Sequence, residues 1–196
     1  DNLLAFGDPD GTLKGALDEV RAIAKIVPKC EMLTLGQATE GMVKSRPDSF
    51  SVLHLATHAI LSNINPKNSY IVFAPDEQTG DDGKLDFGEI LRIPLRKRTM
   101  LVTLSACQTA VGKNPSGSEV ISLARAFTSA GAPSILSTLW PVEDQATRDL
   151  MVSFYRNLTR GDKAGSLRDA QLALLKNPLT ADPFFWAPFI LIGDWQ

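Results

Sequence analysis

Apolar residues along this chain follow two rhythms. Runs rich in Val, Leu and Thr, the pattern of strands buried on both faces, occupy Leu101 to Ala110 and Phe50 to Thr57, and Leu3 to Gly7 and Pro133 to Trp140 read as strands as well. Cys30 to Leu35 and Tyr70 to Ala74 read as further strands, and the apolar tail Phe184 to Ile192 as a last one. Between these runs the spacing becomes helical. Ala16, Val20, Ile23, Ala24 and Val27 share one face before Pro28, and Val120, Leu123, Ala124, Phe127 and Ala130 share another before Gly131. A third stripe, Thr147, Leu150, Met151, Phe154 and Leu158, starts near Asp144 and stops at Gly161. A fourth, Ala164, Leu167, Ala170 and Leu174, ends at Asn177-Pro178. Short helices are predicted after Thr39 and Asp86, closing before Pro47 and Pro94, and Ser116 with Glu119 has the spacing of a capping box. Asp8 to Gly11 is a turn by composition, and Asp76 to Lys84 and Gly112 to Gly117 read as exposed, flexible loops.

Strands alternating with helices, the most apolar strands followed by helices, predict an α/β fold: a mostly parallel central sheet with helices on both faces. The chain of 196 residues, 44% hydrophobic and 21% charged, can bury a real core. No repeat or linker divides it, so a single domain spanning 1–196 is expected. A net charge of -2 gives no electrostatic reason to expect nucleic acid or a membrane surface as a partner. No apolar run approaches the roughly 20 residues of a membrane span. The start carries neither an initiator Met nor a signal-peptide pattern, and the expectation is a piece of a longer chain. Two cysteines, Cys30 and Cys107, and two histidines without paired ligand spacing predict neither a disulfide framework, a metal site nor a cofactor. A reducing, cytoplasmic setting is expected.

Chemistry concentrates where strands emerge from the sheet, because ligands of open α/β sheets collect at the strands' carboxyl ends. Cys107 stands at such an exit, and a thiol becomes a strong nucleophile when an imidazole takes its proton. His54 lies inside an apolar strand and is a poor proton shuttle. His58 lies at the exit of that strand and is the candidate base, 49 residues before Cys107. That separation is close to the roughly 50 residues of the caspase signature. The bland alternatives are a small buried thiol and a structural histidine.

His54-Leu-Ala-Thr-His58-Ala59, Leu104-Ser-Ala-Cys107-Gln-Thr-Ala110, Leu123-Ala-Arg-Ala-Phe127, Leu139-Trp-Pro-Val142 with Asp144, and Phe184-Phe-Trp186 through Gly193-Asp-Trp195 together resemble a CHAT domain. This is the caspase-like peptidase domain often found behind tetratricopeptide repeats, and the resemblance runs in order over nearly the whole chain. It implies a caspase-like fold and a cysteine endopeptidase, with Cys107 as nucleophile and His58 assisting proton transfer. The backbone N–H groups of Cys107 and Ala59 would hold the oxyanion. The partners implied are a protein or peptide substrate and an upstream tetratricopeptide-repeat region or activating protein, the domain being the C-terminal part of the longer chain.

Ala59 replaces the glycine many caspase relatives carry after the histidine, and Thr109 stands where true caspases have glycine, so a preference for Asp at P1 is not carried over. Asp8 and Asp144 correspond roughly to the places where paracaspase- and metacaspase-like relatives hold acids that bind a basic P1 side chain. The same two residues also read as a turn residue and an N-cap. Trp140 reads as core or as a substrate platform, and Arg125 as a bridge to an unnamed carboxylate. Activation through ordering of the flexible loops is the expected regulation. Two other functions stay open: a catalytically silent caspase-like scaffold that binds a protein partner, and a redox-sensing thiol paired with Cys30.

Overall fold

Leu3, Leu4, Ala5 and Phe6 are all buried, as an unbroken apolar run requires, and they form β1 (Leu3–Gly7), one strand in from the edge of a six-stranded sheet. The computed structural model describes residues 2–46, 49–62, 65–95, 98–105, 107–111, 118–158 and 162–196. Besides β1, this sheet comprises β2 (Cys30–Thr34), β3 (Val52–Ala56), β7 (Leu101–Leu104), β9 (Ser134–Thr138) and β10 (Phe189–Gly193), in the order β10-β9-β7-β3-β1-β2. All pairs are parallel except β10 with β9.

Alternation along each strand sends its side chains to two cores. Leu3 and Ala5 of β1 join Val52, Leu101 and Leu136 in a core shared with α1 (Lys14–Ala24), α5 (Asp144–Leu158) and α6 (Lys163–Lys176), through Val20, Ile23, Leu150, Phe154 and Leu167. Leu4 and Phe6 join Leu53, Leu55, Val102 and Leu104 on the other face. There they meet Val43 of α2 (Glu40–Lys44), Ile90 of α3 (Phe87–Ile90), and Leu123 and Phe127 of α4 (Ser118–Ala130).

The second face also carries a sheet that the apolar pattern did not announce. β4 (His58–Ser62), β5 (Tyr70–Val72), β6 (Lys84–Asp86) and β8 (Cys107–Val111) lie in the order β6-β5-β4-β8. Its two long strands continue two strands of the main sheet. The predicted strand over 50–57 ends at Ala56, buried Thr57 donates its hydroxyl to the Val72 carbonyl at 2.7 Å, and the chain resumes as β4. The predicted run to Ala110 divides in the same way, β7 closing at Leu104 and β8 opening at Cys107.

Two further expectations are corrected. The tail is a short helix, α7 (Pro183–Trp186), and only then a strand. Asp182 accepts from the Phe184 N–H and Pro183 opens the helix, so the chain turns before it extends. The predicted flexible stretch from Asp76 to Lys84 is exposed but folded, with Asp76 N–H donating to the Asp81 carbonyl and Lys84 starting β6. Lys44 ties it down, with Nζ 3.1 Å from Asp81, 2.7 Å from Glu89 and 3.0 Å from buried Glu40. The predicted cap at Asp86 is present as a capping box with Glu89. Gly112 to Gly117, Ser116 of the expected second capping box, and Gly161 lie outside the described residues.

Candidate active site

β3 and β7 are parallel neighbours in the main sheet, and their continuations β4 and β8 are parallel neighbours in the second. The two segments therefore pass from sheet to sheet side by side. The first residues after the step are His58 and Cys107, paired directly in the ladder, with Ala59 opposite Gln108. Adjacent strands lie roughly 4.8 Å apart, so residues 49 positions apart in sequence become backbone neighbours. For Cys107 the backbone alone is described.

His58 is held from the β1–α1 loop. Nε2 lies 2.8 Å from Oγ1 of Thr12, whose hydroxyl donates to Oδ1 of Asp10 at 2.8 Å. The second Asp10 oxygen stands 4.0 Å from Nε2. Nδ1 is buried with no hydrogen-bond partner among the described residues. The loop owes its path to Asp8 and Gly11, both at positive φ (50° and 76°). The Asp8 N–H donates to the Ala56 carbonyl, and its buried carboxylate accepts from the Leu13 N–H at 2.7 Å. Asp8 thus shapes the loop and leads it into α1.

Beside the loop, where β7, β9, α1 and α5 converge, a cavity of about 20 Å³ is lined by Gly15, Glu19, Ser105, Thr138, Asp144 and Thr147, among others. Asp144 is the first residue of α5, and a Cβ on Gly15 would fall 2.2 Å from its carboxyl carbon, so only glycine lets the two helix starts meet here. Asp8 is not among the described lining residues. Trp140 donates its indole N–H to the Phe184 carbonyl at 3.1 Å, which turns it toward α7, and Arg125 is on the exposed side of α4.

Glu19 escaped the sequence reading. It is buried, with Oε1 2.9 Å from Nε2 of fully buried His54, although the two are not aligned for a hydrogen bond. The other His54 nitrogen, Nδ1, lies 3.0 Å from the Tyr155 hydroxyl, itself 2.8 Å from Oγ1 of Thr103. Burial pushes the Tyr155 phenol far above its usual range, so it stays a neutral hydrogen-bonding group. His54 is thus occupied in the layer between sheet and helices. The only sequence signal for Glu19 is an acid next to Val20 on the buried stripe of α1. Among the described residues no group of His, Cys, Asp and Glu is placed to hold a metal ion. None of the helices described is long and apolar enough to cross a membrane.

Comparison with known proteins places these features in a wider setting. The family model described as CHAT domain matches residues 1–194. Tetratricopeptide repeat protein 28 of Mus musculus is 28% identical over 219 residues, which cover 94% of this chain and 9% of that protein. The Homo sapiens protein of the same name is 27% identical, over 94% of this chain and 8% of its own length. The chain therefore spans less than a tenth of these relatives. Among solved structures, the Arg specific cysteine proteinase gingipain R superposes with a TM-score of 0.69 at 11% identity, over 98% of this chain and 46% of that one. The separase of the Saccharomyces cerevisiae separase-securin complex gives 0.61 at 13% identity, over 98% and 12%. These likenesses show the caspase-like α/β fold.

Proposed function

Because the chain belongs to the CHAT domain family, we propose that it is a cysteine endopeptidase in which Cys107 is the nucleophile and His58 its base, cutting a protein substrate after a basic P1 residue. The observation that carries this reading is the direct pairing of His58 with Cys107 across β4 and β8. In this mechanism His58 takes the thiol proton and the thiolate sulfur bonds to the scissile carbonyl carbon. The resulting oxyanion is held by the N–H groups of Cys107 and Ala59. Collapse of the tetrahedral intermediate breaks the C–N bond as imidazolium His58 gives its proton to the leaving amine, and water then hydrolyses the thioester.

Asp144 is the acid proposed to meet the P1 guanidinium or ammonium in the cavity beside Ser105. Asp8 serves the same pocket indirectly, by setting the course of the loop that borders it. A cavity of about 20 Å³ admits about one water molecule and not an arginine side chain. Asp144 is exposed and also lines a wider, open cavity of about 550 Å³ with Gly15, Glu143 and Arg148, and activation by an upstream tetratricopeptide-repeat region or a bound protein is part of the same proposal. Relatives that carry this domain within much longer chains named for tetratricopeptide repeats support such a partner.

Cleavage of a peptide library by the activated full-length protein tests the reading. Cys107→Ala should reduce turnover by on the order of 10⁴-fold. Replacing P1 Arg or Lys by Asp should abolish cleavage. Undiminished cleavage by Cys107→Ala would remove the catalytic assignment, and indifference to P1 charge would remove the role of Asp144. A chain that binds its partner and cuts nothing would be the silent scaffold.

A further inference from the structure

His58 has two ring nitrogens in unlike surroundings. The Thr12 hydroxyl has one hydrogen, and that hydrogen is committed to Oδ1 of Asp10 at 2.8 Å. Oγ1 of Thr12 can therefore only accept from Nε2 of His58, 2.8 Å away, and Nε2 must carry the proton. The lone pair of the neutral ring is then on Nδ1, the buried atom with no partner among the described residues. Asp10 fixes the direction of the relay. Its Oδ1 accepts both the backbone N–H (3.2 Å) and the hydroxyl of Thr12, and its Oδ2 faces Nε2 at 4.0 Å.

We infer that Asp10 and Thr12 are positioning residues for His58, holding it as the Nε2–H tautomer so that Nδ1 is the nitrogen that exchanges a proton with Cys107. Nδ1 gains the thiol proton as the S–H bond breaks, and returns it to the leaving amine. Nε2–H keeps its hydrogen throughout, and Thr12 passes the stabilising effect of the Asp10 carboxylate to the ring without itself being ionised. The hydroxyl matters more than its methyl group, since only an atom that both donates and accepts can link a carboxylate to an N–H. The β1–α1 loop therefore presents two polar groups to the dyad, and the positive φ angles at Asp8 and Gly11 give it the course that does so.

The catalytic consequence rests on the peptidase reading, but the tautomer does not, and one experiment reads both. In the full chain labelled with 15N-histidine, long-range proton–nitrogen correlation spectra distinguish the two neutral tautomers, with His58→Gln assigning the signal among only two histidines. Alkylation of Cys107 by iodoacetamide, followed by mass spectrometry on the peptide that contains it, reports thiolate formation in the same samples. The expected result is an Nε2–H His58 in the unaltered chain, kept in Thr12→Ser and lost to a mixture in Thr12→Val. Alkylation should slow by roughly 10- to 100-fold in Thr12→Val and Asp10→Asn, less than the 10²–10⁴ ascribed to a general base itself, and recover in Thr12→Ser. Unchanged thermal unfolding in these exposed-loop variants separates positioning from folding. An Nδ1–H ring in the unaltered chain, or a tautomer and alkylation rate indifferent to Thr12→Val, would overturn the inference. A Thr12-dependent Nε2–H ring in a chain whose activated form cuts no peptide would uphold it and overturn the peptidase reading alone.

Discussion

Cys30 lies on the edge strand β2, where burial and then the neighbouring Glu31 carboxylate push its thiol up to about 11. Almost none of it is thiolate at neutral pH, and thiolate is the reactive form. Its alkylation should accordingly be slow at pH 7 and rise about tenfold per pH unit to beyond pH 10, measured on its own peptide. A plateau near pH 8.5 would show an ordinary thiol instead. The ladder also separates it from Cys107. Cys30 is level with Leu3, Val52 and Leu101 at the amino ends of the strands, three strands from β7, a lateral distance of roughly 14 Å. A disulfide needs Cα atoms within about 7 Å, so pairing with Cys107 as a redox sensor finds no support. The placement of His58 and Cys107 where two main-sheet strands end, and of His54 inside one, was legible because a strand's interior and its exit differ in apolar context. Thr12, Asp10 and Glu19 were not, because their partners are assembled across the fold by a loop path and a helix face that local composition does not encode.

Helix starts set the limits of the pocket. Gly15 in the first turn of α1 gives way to Asp144 of α5, where an added methyl would meet the carboxyl carbon at 2.2 Å and Cβ at 2.5 Å. Gly15→Ala should therefore destabilise the chain by about 1–3 kcal/mol, although Ala is the better helix former by about 1 kcal/mol. It should also lower kcat/KM for basic P1 substrates by moving Asp144. Urea unfolding and peptide kinetics check both, and a stabilised variant would show that α1 and α5 separate freely. At this scale the helices α1, α4, α5 and α6 were readable from their stripes. The break between β7 and β8 was not, because an apolar run looks the same whether it stays in one sheet or crosses to another. The Asp182-Pro183 pair did signal α7, but the apolar residues after it suggested a strand. The fold of 76–84 depends on Lys44, whose ammonium, otherwise disfavoured by burial, is held charged by Glu89, Glu40 and Asp81, three acids distant in sequence.

Across the whole molecule, two sheets share one pair of strand segments, β3–β4 and β7–β8, and the exchange point is where the candidate chemistry stands. The main sheet supplies rigidity from both sides, including the His54, Glu19 and Tyr155 layer beneath it. The second sheet receives β4 and β8 already paired, which sets the His58 and Cys107 backbones side by side, while the β1–α1 loop holds the imidazole. The α/β class followed from strand and helix order alone, while the second sheet depended on short strands such as β6, too brief to leave a periodic trace. We propose that this pairing makes Cys107 a peptidase nucleophile. Intact-mass analysis of the activated full-length protein with a peptidyl-arginyl chloromethyl ketone tests it most directly. One adduct is expected, located on Cys107 and formed at a rate that falls by at least about 10²-fold in His58→Ala. An adduct on another residue, or one on Cys107 at the same rate without His58, would contradict it.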